Sequence, residues 1–364
     1  MSDIVRFAII GCGRISDLHA PGYLKNPHAE INAVCDLDKE RAIQKAKEWG
    51  VEENRVFTDY KDVLRLEDVD AVELLVPHHQ HAPLTIEAAN AGKHVSIQKP
   101  MAMNLTECQE MIDAAKGNGV KLRVFENFRF YPPYMKAKEI LESGAIGKPS
   151  FIHIKLGTSR MGGWDIPVDA WMWRLNEDTC GGGPLCWDDG YHKFSIAEYF
   201  LGSIERVKAW IDSTGVFEDD DEPPFRTDAP AIMMWKYKEP RRYGSMEVTY
   251  SRDADIPSEY YTADERVEIT GELGYIWINQ CTAHPVRKEA PLITFIKGEV
   301  TEYRDLETDW LASFTGAVHH FVEAIRMDKK PILSGEEGMY IQQFAKAAQI
   351  SSRTGSEVLV DEVT

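Results

Sequence analysis

The chain opens with an apolar run, Ile4 to Ile10, rich in β-branched residues and bounded by Gly11. That is the pattern of a strand buried on both faces. A second run, INAVCD at 31–36, is followed by the helical stretch KERAIQKAKEW and a stop at Gly50. AVELLVP (71–77) and HVSIQK (94–99) repeat the strand pattern on either side of a helical HAPLTIEAANAG (81–92). Asn104-Leu-Thr-Glu107 then fits a capping box, and Leu105, Cys108, Met111, Ile112 and Ala115 share one helical stripe. Gly117-Asn118-Gly119 ends that helix, and residues 120–125 return to strand. Repeated βα units predict an α/β, doubly wound parallel sheet, in which ligands bind beyond the carboxyl ends of the strands.

After Pro132-Pro133 the alternation stops. A helix is predicted over 134–143, and then FIHIKLG, RVKAWID, AIMMWKY, GSMEVTY, RVEITG and YIWINQ alternate apolar with polar residues between turn signals. They predict a large, mostly antiparallel open sheet with one face solvated or used as an interface. Helical stretches at 311–327 and 336–353 are expected to fold back against the core.

A chain of 364 residues is comfortable as two domains. Its hydrophobic content of 43% and charged content of 27% belong to a globular protein. The formal charge of −18 argues against nucleic acid and against an anionic membrane surface as partners. No run of eighteen apolar residues occurs, and Gly11 comes too early for a signal segment, so a cytoplasmic location is expected. Six cysteines (12, 35, 108, 180, 186 and 281) lack CxxC or zinc-ligand spacing and are expected to be reduced thiols. The acidic run EDDDEPPF (218–225) reads as a solvated loop.

Candidate chemistry sits at the strand tips. GCGRIS follows the first strand: Gly11 allows a tight turn, and Gly13 lets backbone N–H groups approach a pyrophosphate resting on a helix N-terminus. Arg14, Ile15 and Ser16 complete that candidate cofactor set, with Ser16 where glycine or alanine is usual. Asp36 ends the second strand, about twenty residues beyond Ser16, where an acidic side chain accepts hydrogen bonds from an adenosine ribose and repels a 2′-phosphate. NAD is therefore expected over NADP; the plainer reading is that Asp36 begins a turn. Pro77 precedes His78, His79 and His81. No metal is expected there, because no carboxylate or cysteine lies at usual ligand spacing. Loop residues beside a nicotinamide ribose, or a surface loop, fit better. Gln98, Lys99 and Pro100 end another strand, so Lys99 either marks the exit from the core or is held there as a reactive cation.

The densest chemistry is GGGPLCWDDGYHKF, residues 181–194. Its glycines would permit backbone close to a ligand. A helical start would put Asp188 and His192 four apart on one face, a pair suited to proton relay and hydroxyl binding. Taken singly, Asp188 could be a helix N-cap and His192 an interfacial histidine. Asn127, Arg129, Trp164, Trp171, Trp173 and Arg174 could contact a polyol ring, although core or interface packing explains the tryptophans equally well.

GCGRIS, the Asp36 strand end, Pro77-x-x-x-His81, AGKHVSIQKP, ENFRFYPPY and GGGPLCWDDGYHKF occur in this order. Together they resemble the glucose–fructose oxidoreductase/inositol dehydrogenase (Gfo/Idh/MocA) family from residue 5 to about 202, and AAQISSRTGSEVLV resembles its closing element. The family's usual tripeptide is Glu-Lys-Pro, whereas this chain has Gln98. The resemblance implies a Rossmann dinucleotide-binding domain over 1–125. It implies a C-terminal substrate-binding and oligomerisation domain over 126–364, with the last helix able to pack back on the first. It also implies that Gln98 and Lys99 join Pro77 and His81 at the cofactor, and three roles: Lys99 points at the nicotinamide and polarises the reacting oxygen, Asp188 holds a substrate hydroxyl, and His192 takes the proton as hydride leaves for nicotinamide. Asp188, Gly190 and His192 match the family's Asp-x-Gly-x-His.

The implied activity is an NAD-dependent dehydrogenase of a sugar, glycoside or cyclitol, assembled as a homodimer or homotetramer. Two alternatives stand beside it: glycoside cleavage or epimerisation through transient oxidation on tightly held NAD, and a non-catalytic NAD-sensing regulator. An intact Lys99, Asp188 and His192 argue against the last.

Overall fold

The computed structural model describes residues 3–164, 172–216, 225–279 and 289–364; Trp171 and most of the acidic run 218–225 lie outside them. The chain divides into two compact units. The first holds residues up to Asn127, the described part of 168–181, and Phe314–Tyr340. The second holds the remainder.

Six parallel strands form the sheet of the first unit: β1 (Val5–Ile10), β2 (Ala29–Cys35), β3 (Val56–Phe57), β4 (Ala71–Leu74), β5 (His94–Gln98) and β6 (Leu122–Phe125). Their order is β3-β2-β1-β4-β5-β6, so the chain reverses direction across the sheet between β1 and β4. Strand β3, two residues long, is too short to show a periodicity in sequence. Helices α1 (Ser16–Leu24), α2 (Lys39–Trp49), α3 (Tyr60–Leu64), α4 (His81–Asn90) and α5 (Leu105–Gly117) follow the strands. Asp38 caps α2 through the N–H groups of Glu40 and Arg41, and Asn104 caps α5 through Glu107 N–H. Glu107 reaches back not to the cap's own N–H, as in the expected capping box, but to Met103 N–H and the Asn104 side-chain amide.

A polar row crosses this apolar sheet. Glu73 of β4 is in register with Ser96 of β5, and Ser96 with Arg123 of β6. Arg123 donates from Nε to Ser96 Oγ at 2.8 Å and from a terminal nitrogen to the Ala317 carbonyl. Residues 314–326, the greater part of helix Trp310–Arg326, pack on this unit, with Phe321 against Phe7 and against the Arg123 guanidinium. The expected boundary near 126 therefore omits two segments that fold with the first unit. The last helix, Gly335–Thr354, groups with the second unit from Ile341 onward.

The second unit carries a nine-stranded sheet. Its strands are β7 (Pro149–Thr158), β8 (Ile204–Ile211), β11 (Ala231–Tyr237), β12 (Tyr243–Tyr250), β13 (Ala263–Gly271), β14 (Gly274–Ile278), β15 (Leu292–Ile296), β16 (Glu299–Tyr303) and β17 (Val358–Leu359). The pair β9 (Thr214–Gly215) and β10 (Arg226–Thr227) stands apart. The order is β16-β15-β14-β13-β7-β12-β11-β8-β17, antiparallel except between β7 and β12. Side chains alternate as the sequence pattern requires: in β11, Met233 and Trp235 are buried whereas Ile232 and Met234 are exposed. Helix Gly190–Leu201 and the last helix cover the inner face, where Phe344 packs on Phe194 and Trp235. Phe151, Trp210, Ile232, Met234, Tyr243 and Tyr275 remain exposed.

Candidate active site

The turn after β1 is built for close approach. Gly11 has φ +99°, and a Cβ there would overlap the Leu75 carbonyl, so the crossing of two strand ends alone demands glycine. At Gly13 a Cβ would meet no protein atom within 4 Å, so the protein's own packing does not select that glycine. Ser16 opens α1 and donates from Oγ to Gly13 O at 2.7 Å, closing the turn with a side chain where the family pattern has a smaller residue. Arg14 is exposed and pairs with Asp17, and Ile15 is the residue before α1. Asp36 accepts from Cys12 N–H at 2.7 Å and from Asp38 N–H at 2.8 Å, with Arg41 at 3.5 Å. An open glycine turn, a helix N-terminus and a fixed carboxylate fit the pyrophosphate and ribose of NAD. Burial, and secondarily Asp36, pushes the Cys12 thiol up to about 12, so this cysteine stays protonated. It is one of five described cysteines, all buried and none in a disulfide.

Lys99 lies just beyond β5 and is half-buried; the Lys99–Pro100 peptide bond is cis. Its backbone N–H donates to Gln98 Oε1 at 3.0 Å. Pro77 leads into a short turn, His78–Gln80. His78 places Nδ1 2.8 Å from Cys180 O and meets Trp173 edge-on at 4.7 Å, while Arg174 lies over the Trp173 ring at 4.3 Å. His81, expected beside a nicotinamide ribose, is buried, with Nδ1 2.9 Å from Pro100 O and Nε2 2.9 Å from Val76 O. Its ring stands between the carbonyl of the residue after Lys99 and that of Val76 in the segment following β4. Among the described residues, no group of three or more His, Cys, Asp or Glu is placed to hold a metal ion.

In the second unit, the segment before His192 departs from the expected geometry. Pro184–Asp189 is wound more widely than an α-helix: Asp188 N–H donates to Gly183 O, five residues back, at 3.1 Å. The α-helix begins only at Gly190, so Asp188 and His192 are not a regular pair on one helical face. Nor is Asp188 an N-cap. Both side chains are nevertheless buried, 4% and 8% exposed, and His192 stacks on Phe128 at 4.3 Å. The wide turn is fixed by a residue that the sequence reading missed. Asp228 accepts from Leu185 N–H at 2.7 Å and Cys186 N–H at 2.8 Å, and a Cβ at Gly183 would overlap its carboxyl. Gly183 thus makes room for a protein carboxylate and not, as expected, for a ligand. Burial pushes the Asp228 carboxyl above its ordinary range, against the backbone N–H groups that lower it.

Some candidates are committed elsewhere. Arg129 donates to Ser195 Oγ at 2.9 Å and pairs with Glu198 at 2.9 Å, so these bonds brace helix Gly190–Leu201. Trp164 meets Tyr260 and Tyr261 edge-on. Asn127 is buried at the end of the first unit. Next to His192, Lys193 is buried in an ion pair with Glu265, its ammonium 4.1 Å from the Phe128 ring. A lysine that enters a helix interior only with a partner gives no sign of that partner in sequence.

A parallel sheet of this order, ending in a glycine turn and an anchored acidic residue, defines a dinucleotide-binding domain. Residues 5–126 match the profile described as "Oxidoreductase family, NAD-binding Rossmann fold", and residues 134–277 match the GFO/IDH/MocA C-terminal domain. The chain belongs to the Gfo/Idh/MocA family of oxidoreductases. It is 29% identical to scyllo-inositol 2-dehydrogenase (NAD(+)) of Bacillus subtilis over 99% of this chain and 98% of that protein. To Myo-inositol 2-dehydrogenase of Thermotoga maritima it is 27% identical, over 99% of each. Levoglucosan dehydrogenase in complex with NADH and levoglucosan has the same fold, with TM-score 0.83, 22% identity, and coverage of 98% of this chain and all of that one.

Proposed function

We propose that the protein is an NAD-dependent dehydrogenase acting on a secondary hydroxyl of a sugar, glycoside or cyclitol. The reading rests above all on the Asp36 carboxylate, fixed by Cys12 and Asp38 N–H groups beside a glycine turn that a pyrophosphate can approach. The full-length relatives named for inositol dehydrogenation support the substrate class. NAD, when bound, supplies the carbon that accepts hydride.

The chain's own residues supply the proton chemistry. His192 takes the proton of the reacting hydroxyl, a task suited to an imidazole near neutral pH. Lys99 stabilises negative charge as it develops on that oxygen. Asp188 accepts a hydrogen bond from a neighbouring hydroxyl and so orients the ring. The products are a ketone, NADH and one proton. We further assign the exposed apolar residues of the nine-stranded sheet to association with a second copy, since a patch of this kind marks an interaction surface. Described cysteines that are buried and outside any disulfide suit the cytoplasm.

The test is a screen of cyclitols, aldoses and glycosides with NAD, following the absorbance of reduced cofactor, alongside an assay for cofactor carried through purification. Turnover of at least one polyol is the expected result. No reduction with any member of the three classes contradicts the proposal.

A further inference from the structure

We propose that Glu73, His19 and Gln98 form a directional proton chain that fixes the backbone of Lys99, and that residue 98 is a carboxamide because His19 presents an acceptor to it. This deepens the proposed function, on which the catalytic task of Lys99 rests.

The direction of the chain follows from one obligate donor. Lys99 N–H can only donate, so the Gln98 atom 3.0 Å from it is the carbonyl oxygen. The amide nitrogen of Gln98 then faces His19 Nε2 at 2.8 Å. Because an NH2 group donates, Nε2 must carry a lone pair, and the ring proton sits on Nδ1. Nδ1 stands 3.0 Å from Glu73 Oε1, off the straight hydrogen-bond line, so the contact is chiefly electrostatic. Glu73 also accepts from Tyr23 O–H, and Arg123 lies 3.6 Å away as its countercharge. His19, Glu73 and Tyr23 are wholly buried, and Phe125 and Phe314 wall the imidazole at 4.0 and 5.2 Å. Burial lowers the His19 pKa, in keeping with a neutral ring.

A carboxylate at 98, the family's usual residue, would meet the lone pair of His19 with negative charge. Moving the ring proton to Nε2 would relieve residue 98 but turn the Nδ1 lone pair on the Glu73 carboxylate 3.0 Å away, so both contacts are satisfied only if the pair binds one more proton. The charged groups facing His19 are Glu73 from β4 and Arg123 from β6, and neither can supply that proton at neutral pH. Gln98→Glu should therefore give the enzyme a pH dependence that the parent lacks. Its turnover falls as pH rises and the extra proton is lost.

Two measurements on the full chain test this. Nitrogen-15 NMR of labelled histidine, with His19 assigned by its loss in His19→Gln, should show a neutral ring protonated at Nδ1 between about pH 6 and about pH 9, where an ordinary imidazole titrates. With the best polyol from the screen, Gln98→Glu should have a kcat roughly 10- to 100-fold below that of the parent at the same alkaline pH, the scale of a misplaced reacting group, and the ratio to the parent should recover toward acid. Its Kd for NAD should be unchanged. A ring protonated at Nε2, or a Gln98→Glu enzyme with the parent kcat and pH profile, overturns the proposal. If Gln98→Glu fails to fold, the tautomer measurement on the parent still decides. Full turnover in Lys99→Ala would remove the catalytic reading of Lys99 and leave the tautomer prediction standing.

Discussion

Asp36 accepts a hydrogen bond from Cys12 N–H at 2.7 Å, which ties the end of the second strand to the glycine turn after the first. The carboxylate is therefore held in place before any nucleotide arrives, and its charge would meet a 2′-phosphate directly. Arg41 lies 3.5 Å from it. Asp36→Ala removes the repulsion and leaves a guanidinium nearby, so the ratio of kcat/KM for NADP to that for NAD should rise by at least about tenfold, the equivalent of roughly 1.4 kcal/mol. A lysine added at Leu37, which is 94% exposed, should increase the shift. Comparable kcat/KM for both cofactors in the parent enzyme would remove Asp36 from this role.

Asp228 holds two backbone N–H groups at the wide turn before His192. Asparagine offers one acceptor oxygen and turns an NH2 toward the other N–H, which costs about 1–3 kcal/mol for a buried unsatisfied donor. Asp228→Asn should lower kcat and leave the Kd for NAD unchanged, since the nucleotide turn belongs to the other unit. The pH dependence of stability also has a defined sign. The folded-state pKa of Asp228 lies above its ordinary 3.8, so the folded state binds the proton more tightly. Stability from this group then falls as pH rises above 3.8, and urea midpoints of the parent should drop through that window relative to those of Asp228→Asn. Parallel pH profiles would contradict the assignment.

The strands and helices of the first unit, apart from the short β3 and α3, were legible because each is long enough to show its period, and because Gly50 and Asn104 mark helix ends by local chemistry. Asp36 was legible for a similar reason, its distance from the glycine turn being set by one βα unit. What the sequence hid depends on tertiary partners. Glu73 inside AVELLVP and Arg123 inside VKLRVF are charges in buried strands, a signal that a partner exists but not which one. His19 and Asp228 lie far along the chain from the residues that they hold. The regular spacing of Asp188 and His192 suggested one α-helical face, and the extra residue in the wide turn removed that regularity. The bonds of Arg129 to Ser195 and Glu198 were hidden too, because nothing local announces either partner.

The exposed row on the nine-stranded sheet should bury itself against a second copy. Ile232 and Met234, 48% and 44% exposed, alternate with buried neighbours on β11. Light scattering should give a dimer or tetramer of the 41.3 kDa chain at micromolar concentration. Ile232→Lys with Met234→Lys should shift the mass toward 41.3 kDa without loss of NAD binding. A parent protein of monomer mass would contradict the interface.

The central claim is that cofactor binding and proton chemistry rest on different residues. The proposed division assigns NAD binding to residues 11–16 and Asp36, and turnover to Lys99, Asp188 and His192. The most direct measurement takes Lys99→Ala and His192→Ala through NAD titration and single-substrate kinetics side by side. Both should bind NAD almost as the parent does and lose kcat by roughly 10²–10⁴-fold, the scale of a positioned acid–base group. Parent-level turnover in both variants would contradict the mechanism.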